Sequence, residues 1–171
     1  MAHDPPKAVL YLRTSDHRLT SDGQRKQDIQ RQEVLLRSHC DRAGIIIGNT
    51  YWDEGRSAWT DDLNQRPAFK TLLNDVRRHY VKQIFIEDLT RWSRRLAPGL
   101  AWLKVCADAG CNVTSLREGE IEITSSKGWL QSSLMLMFGE WESRMMSEKI
   151  KSGMEKAKNL KKHIGRPRKD G

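Results

Sequence analysis

The sequence predicts an α/β domain with a mostly parallel sheet that is flanked by helices. Short apolar runs alternate with helix-like segments, and glycines such as Gly44 and Gly110 stand between them. This alternation is typical of parallel strands joined by crossover helices that cover both faces of a sheet. The length of 171 residues suits one domain, and 37% hydrophobic residues are enough to form its core.

The order of the elements follows from periodicity and from turn residues. Strands are predicted over 7–15, 45–53, 83–89 and 111–116, with a short edge strand over 121–124. Helices are predicted over 24–43, 67–79 and 98–109. The apolar positions of the first helix are few, and we expect them to form one buried face: Ile29, Val34, Leu35 and Leu36.

A long helix is predicted over 127–162, because no proline interrupts this segment. Its apolar residues recur every three or four positions, like the contact line of a coiled coil: Leu130, Leu134, Met137, Trp141 and Met145. We interpret this stripe as an interface between two copies of the chain. The alternative is an ordinary core helix with a frayed end.

The net charge of +8 is concentrated at the C-terminal end, where nine basic and two acidic residues stand between 149 and 171. Such a segment indicates a polyanionic partner, most simply nucleic acid, although a solvated tail has the same composition. An extended Arg166-Pro167-Arg168 suits the narrow minor groove of DNA. The candidate DNA-binding residues are Lys149, Lys151, Lys156, Lys158, Lys161, Lys162, Arg166, Arg168 and Lys169.

Other classes of protein are disfavoured by what the sequence lacks. No apolar run approaches the roughly 20 residues that span a bilayer, and no secretory signal is visible at the N-terminus. Cys40, Cys106 and Cys111 have no zinc-site spacing and are interpreted as core or near-surface thiols in a reducing compartment. We therefore expect a cytoplasmic, nucleoid-associated protein without a membrane partner or a bound metal.

Polar groups follow the predicted strands at the edge where sites form in open α/β sheets. Arg13 and Ser15 share one side of the first strand with Tyr11, since alternate side chains face the same way. Arg91 and Arg94 follow the third strand, at the start of a helix, and Arg66 precedes another helix. A serine hydroxyl among guanidinium groups suits attack on a phosphodiester, although a helix cap and a solvated basic patch remain alternatives.

Nine short motifs, taken together and in order, carry a family resemblance. The chain resembles the catalytic domain of the serine recombinases, the resolvase and DNA-invertase family, over nearly its whole length. The motifs are Tyr11–Ser15, Gln30–Gln32, Asp53–Ser57, Arg66–Phe69, Thr90–Arg94, Ser126–Gly128, Phe138–Glu142, Ser147–Lys149 and Gly165–Pro167.

The resemblance implies a site-specific recombinase in which Ser15 attacks DNA and forms a 5′-phosphoserine link with a free 3′-hydroxyl. It implies that Arg13, Arg66, Arg91 and Arg94 surround the scissile phosphate. The supporting residues would be Tyr11, Gln30, Asp53 and Glu148, although Glu148 could merely pair with Lys151 and Asp53 could merely cap a loop. No cofactor is needed, because the phosphoserine link conserves the energy of the broken bond.

The resemblance also implies that homodimers bind double-stranded DNA and assemble into a tetramer through the apolar stripe. We expect a catalytic domain over 1–126, the interface helix over 127–162 and a basic arm over 163–171. In the family such an arm leads to a DNA-binding region, which this sequence does not contain.

Several positions depart from the family pattern. Thr90 stands where many members have aspartate, Trp92 where leucine is common, and Ser143 and Lys149 where arginine is usual. These departures, and the short chain, keep open a catalytically silent DNA-bound regulator of the same fold. A flavodoxin-like small-molecule domain is the remote third reading.

Overall fold

The computed structural model describes residues 7–14, 22–53 and 62–159. Its strands are β1 (Lys7–Arg13), β2 (Ile47–Asp53), β3 (Val81–Ile86), β4 (Asn112–Ser115) and β5 (Gly119–Ile121). Its helices are α1 (Asp22–Arg42), α2 (Pro67–Arg77), α3 (Leu89–Trp92), α4 (Leu96–Asp108) and α5 (Ser126–Asn159), with a 3-10 turn at Leu63–Gln65. The predicted fold class is confirmed.

The five strands form one sheet in the order β2-β1-β3-β4-β5. β1 pairs in parallel with β2 and β3, and β3 pairs in parallel with β4, whereas β5 is antiparallel. The carboxyl ends of β1, β2 and β3 therefore meet at one edge of the sheet. In the register, Arg13 is opposite Asp53 at this edge.

Helices cover both faces of the sheet, and the side chains of the inner strand β1 alternate between the two faces. Leu10 and Leu12 of β1 pack with Leu36 and Cys40 of α1 on one face. On the other face, the cluster of buried residues includes Val9 and Tyr11 of β1 with residues of α2, α4 and α5. All three cysteines are buried free thiols, as predicted.

The buried face of α1 differs from the prediction. Val34 is 67% exposed and Leu35 is also exposed. Leu36 is buried as predicted, and Gln32 and Cys40 are buried with it. Their spacing of four residues keeps them on one side of the helix, so the helical period decides burial here rather than apolar character.

The segment after β3 also differs from the prediction, which continued this strand to residue 89. The strand ends at Ile86 because Asp88 caps α3, accepting hydrogen bonds from the backbone amides of Thr90 (2.8 Å) and Arg91 (3.2 Å). Arg91 lies within α3, and Arg94 lies beyond its end. Helix α4 starts at Leu96 rather than at Pro98, since proline is tolerated in the first helical turn.

The predicted long helix is present as α5, with 34 residues and a length of about 50 Å. Among its residues, three are buried: Gly128, Ser132 and Leu136. The predicted edge strand is shifted to β5, because Glu122 leaves the sheet and accepts hydrogen bonds from Thr124 and Ser125 ahead of α5. Across the described ranges, no helix is long and apolar enough to cross a membrane.

Candidate active site

Asp53 joins β1 to α2 at the edge where the parallel strands end. Its carboxylate accepts hydrogen bonds from the Tyr11 hydroxyl (3.0 Å) and from the backbone amides of Ala68 and Phe69 (both 2.9 Å). A carboxylate at a helix N-terminus stabilises the exposed amides and the helix dipole. Asp53 therefore fixes the start of α2, and with it the preceding Arg66.

Arg66 lies almost completely buried in an aromatic environment. Its guanidinium carbon is 3.9 Å from the centroid of the Phe69 ring and 4.9 Å from that of Trp102. The guanidinium donates to the Tyr11 hydroxyl (3.0 and 3.2 Å) and to the backbone carbonyl of Arg91 (3.2 Å). Cation–π contact and hydrogen bonds together hold the charge in place.

Tyr11 connects this arginine to Asp53, since its hydroxyl donates to the carboxylate and accepts from the guanidinium. Burial raises the pKa of Tyr11 to about 12, against an opposing effect of the Arg66 charge. The phenol consequently stays neutral and serves as a hydrogen-bonding link.

Gln32 of α1 holds the backbone at the end of β1. Its side-chain oxygen accepts from the Arg13 amide (3.3 Å), and its side-chain nitrogen donates to the Arg13 carbonyl (3.1 Å) and to Asp28 (3.0 Å). An amide side chain can satisfy a donor and an acceptor at once. The end of β1 is thereby fixed to α1.

Arg13 and Arg91 hold each other through the main chain. Arg13 donates to the backbone carbonyl of Thr90, and Arg91 donates to the backbone carbonyl of Arg13 (3.2 Å). Arg13 and Arg66 are each 4% exposed, and Arg91 is partly buried. These three cations come from β1, from the start of α2 and from α3. They meet at the end of β1, where Arg13 stands two residues before Ser15 in the sequence.

Two carboxylates lie beside Arg91. Its Nε is 3.4 Å from Oε2 of Glu87 and 3.6 Å from Oδ2 of Asp88. Glu87 also pairs with Arg31 of α1 (2.7 Å). This carboxylate therefore connects α1 with Arg91 of α3. The two carboxylates lower the net charge of the cluster.

The structure brings together Tyr11, Arg13, Asp53, Arg66 and Arg91. Arg94 is partly buried beyond α3. Ser15 lies outside the described residues. Gln30, predicted as a supporting residue, is exposed on α1, whereas Gln32, two positions further along, contacts Arg13.

Glu148 is exposed on α5, and the described residues contain no hydrogen bond or ion pair between it and the arginines or Lys151. It stands eight residues beyond Glu140, about 12 Å along the helix axis. Within the described part of one chain, Glu148 is therefore not part of the cluster.

Sequence reasoning missed Gln32, Glu87 and Asp88. A signal for Gln32 existed, because it is spaced by four residues from Leu36 and again from Cys40 on the buried face. Asp88 directly precedes a short helix and could have been recognised as its N-cap. The bridging role of Glu87 depends on how α1 packs, which its position in the sequence does not indicate.

Thr90 and Trp92, which depart from the family pattern, are both accommodated. The hydroxyl of Thr90 bonds to Asp88, which also caps the helix. Trp92 is fully buried, packs edge-on against Phe69 and donates to the carbonyl of Gly99 (3.1 Å). These two positions therefore support the local fold.

The predicted stripe on α5 is exposed at every position, while Leu136 on the same helix packs in the core. The members of the stripe are Leu130, Leu134, Met137, Trp141 and Met145. The candidate DNA-binding residues Lys149, Lys151, Lys156 and Lys158 are also exposed, whereas Lys161, Lys162, Arg166, Arg168 and Lys169 lie outside the described residues.

A mostly parallel sheet with an arginine cluster at its carboxyl edge and a long C-terminal helix defines the class: an α/β domain with several arginines at one edge of its sheet. Residues 8–163 match the family model described as Resolvase, N terminal domain. The chain therefore belongs to the resolvase family, and its fold is that of a serine recombinase catalytic domain.

Solved structures with the same fold agree with this assignment. The N-terminal catalytic domain of TP901-1 integrase is 25% identical, with a TM-score of 0.60 over 82% of this chain and 98% of that domain. A resolvase family site-specific recombinase from Streptococcus pneumoniae is 21% identical, with a TM-score of 0.59 over 89% and 98%. The latter likeness supports the fold alone. Among curated proteins, no sequence gives a significant match.

Proposed function

We propose that this chain is the catalytic part of a site-specific DNA recombinase of the resolvase and invertase type. The proposal is carried by one observation: hydrogen bonds to backbone carbonyls link Arg13, Arg66 and Arg91 at the carboxyl edge of the sheet. Arg13 precedes Ser15 by two residues in the sequence. Guanidinium groups bind phosphate oxygens bidentately and stabilise the extra charge of a phosphoryl-transfer transition state.

In the proposed reaction, Oγ of Ser15 attacks the phosphorus of a DNA phosphodiester. The bond to the 3′-oxygen breaks, the serine proton ends on that oxygen, and the 5′-phosphate stays linked to Ser15. Attack by a 3′-hydroxyl on the phosphoserine reverses these steps and rejoins the strands. Neither ATP nor a metal enters this scheme.

The residues around Ser15 have distinct proposed roles. Arg13, Arg66, Arg91 and Arg94 bind the scissile phosphate, while Tyr11 and Asp53 hold Arg66 in place. Gln32 positions the backbone of Arg13, and Gln30 stays a supporting residue that the resemblance implies. Glu148 would reach an active site only in an assembly of several chains.

The assembly forms the second part of the proposal. Two chains pair through the exposed stripe of α5, and two DNA-bound dimers form a tetramer. The basic residues from Lys149 to Lys169 then follow the DNA backbone and minor groove. This division assigns catalysis to residues 1–126, pairing to 127–162 and the basic arm to 163–171, in a cytoplasmic protein that acts on the nucleoid.

The test is a covalent trap in cells. Cells that express this chain or its Ser15→Ala variant are denatured rapidly, and protein-linked DNA is recovered and sequenced. The proposal predicts ends at one short sequence with Ser15 and none with the variant. Formaldehyde-detected occupancy of DNA without covalent ends would instead support a silent regulator.

A further inference from the structure

Glu87 stands between two arginines that belong to different helices. One carboxylate oxygen, Oε1, lies 2.7 Å from a terminal guanidinium nitrogen of Arg31, and the other, Oε2, lies 3.4 Å from Nε of Arg91. Arg31 is half exposed, whereas the Arg91 side chain is only 13% exposed. The carboxylate thus bridges the protein surface and the arginine cluster.

The two contacts of Glu87 differ in quality. The short contact with Arg31 is a charge-assisted hydrogen bond that raises the pKa of this arginine. By contrast, Oε2 of Glu87 and Nε of Arg91 are buried, and neither has a hydrogen-bond partner among the described residues. Arg91 is therefore neutralised at close range while one of its buried donors stays unsatisfied, which is an unfavourable state.

Asp88 also lies near Arg91, but it is fixed by another task. Its Oδ1 accepts from the backbone amides of Thr90 and Arg91 and caps α3. Moving Asp88 would uncap the helix that carries Arg91. Glu87 has no comparable task, and its ion pair with Arg31 does not depend on Arg91.

We propose that Glu87 is a displaceable counter-ion of Arg91, which neutralises the guanidinium without DNA and yields it to a DNA phosphate while staying paired with Arg31. The inference rests on the proposed function, since it assumes that Arg91 meets phosphate. A phosphate oxygen would satisfy the Nε donor with a short charge-assisted hydrogen bond. Arg31 would keep the displaced carboxylate neutralised at the surface.

The test measures DNA binding separately from cleavage, with every protein carrying Ser15→Ala. The probe is a fluorescent random-sequence duplex at low salt. Glu87→Gln should bind it about fivefold more tightly, as expected for loss of one partly screened competing ion pair. Glu33→Gln is the matched control, because Glu33 pairs with Arg37 (2.8 Å) on α1 and its removal changes the net charge equally.

A double-mutant cycle tests whether the gain in DNA affinity depends on Arg91. In an Arg91→Ala background, the excess gain of Glu87→Gln over Glu33→Gln should disappear. Glu87→Ala serves as a second variant, and thermal denaturation checks that each protein folds. The proposal is overturned if the two glutamine variants bind equally, if the excess persists without Arg91, or if the Ser15→Ala protein binds no duplex.

The proposed recombinase function is tested by a different measurement. Its test is covalent DNA formed by chains that retain Ser15, which the binding measurement does not use. A chain without cleavage activity can therefore still show, or fail to show, the exchange at Glu87.

Discussion

At the scale of single residues, Gln32 shows how an uncharged side chain positions a cation. Its amide bonds to both backbone groups of Arg13, and Arg91 shares the same carbonyl. A substitution at Gln32 therefore affects two arginines without altering any charge.

Gln32→Leu should lower the free energy of unfolding by about 1–3 kcal/mol, because the buried amide of Arg13 loses its partner. Cleavage should fall further than stability alone explains, since Arg13 is no longer held. Urea denaturation and the covalent-DNA assay measure the two effects. Gln30→Leu, at the exposed neighbour, should change stability by no more than about 0.5 kcal/mol. Equal effects at both positions would contradict the positioning role.

Tyr11 links stability to pH. Its pKa is about 12 in the folded chain and near 10.0 when it is exposed, so the folded state holds the proton more tightly. The stabilisation is complete below pH 10 and is lost as the pH rises from 10 towards 12. We expect the loss to be on the order of 2 kcal/mol.

Tyr11→Phe should remove this part of the alkaline decline while lowering stability at neutral pH, because Asp53 and Arg66 lose a partner. Denaturation curves at successive pH values measure it. Tyr51→Phe is a useful comparison, since burial also raises the pKa of Tyr51 to about 12. A Tyr11→Phe decline that parallels the wild-type decline would refute the assignment.

Most of the candidate site could be predicted at this scale because its residues follow strands. Arg13 and Asp53 end neighbouring parallel strands, and Arg66 stands just before a helix that begins with proline. Gln32 contacts Arg13, and Glu87 contacts Arg31, through the packing of α1 against the sheet. Contacts of that kind depend on the rotation of α1 against the sheet, and a single sequence does not specify that rotation.

At the scale of elements, Glu140 attaches α5 to the start of α4. Its carboxylate accepts from the Leu96 amide (2.8 Å) and pairs with Arg144 (2.6 Å). Close packing of Gly99 against Leu136 accompanies this contact, because a Cβ at Gly99 would lie 2.9 Å from Leu136. The hydrogen bond from Leu96 and the Arg144 charge lower the pKa of Glu140.

Glu140→Gln should cost about 0.5–2 kcal/mol, the range for loss of a helix N-cap. The contribution of Glu140 is present above its ordinary pKa of 4.5 and is lost as the pH falls through the lowered value. The variant should therefore lose less stability than wild type on acidification, as followed by circular dichroism. Glu142→Gln, on the exposed side of α5, should match wild type, and the same deficit there would argue against the cap.

Element types could be predicted, whereas several boundaries could not. Strand β3 ended early because Asp88 turns the chain into α3, and β5 was displaced because Glu122 bonds to the residues that precede α5. Side-chain to backbone hydrogen bonds of this kind compete with strand pairing. Apolar periodicity does not detect them.

At the scale of the whole molecule, α5 exposes a large apolar surface within the described part of the chain. Trp141 is 56% exposed within the predicted stripe, and Phe138, Met146, Ile150 and Met154 are exposed on the same helix. An apolar surface of this extent supports the interface proposed for α5.

Trp141→Ala should shift the chain towards monomer in sedimentation equilibrium, because large aromatic side chains often dominate the energy of an interface. Trp52→Ala on the edge strand β2 is the control, since Trp52 is similarly exposed but lies away from α5. An unchanged sedimentation profile for Trp141→Ala would remove the stripe from the interface.

The central claim is that Ser15 becomes covalently linked to DNA within this arginine cluster. The most direct measurement is mass spectrometry of the trapped adduct after the DNA is trimmed with nuclease and the protein is digested. We expect a nucleotide joined through its 5′-phosphate to the peptide that carries Ser15, and loss of the adduct in Arg66→Lys, which lacks the planar guanidinium. A nucleotide on any other residue, or one joined through a 3′-phosphate, would contradict it.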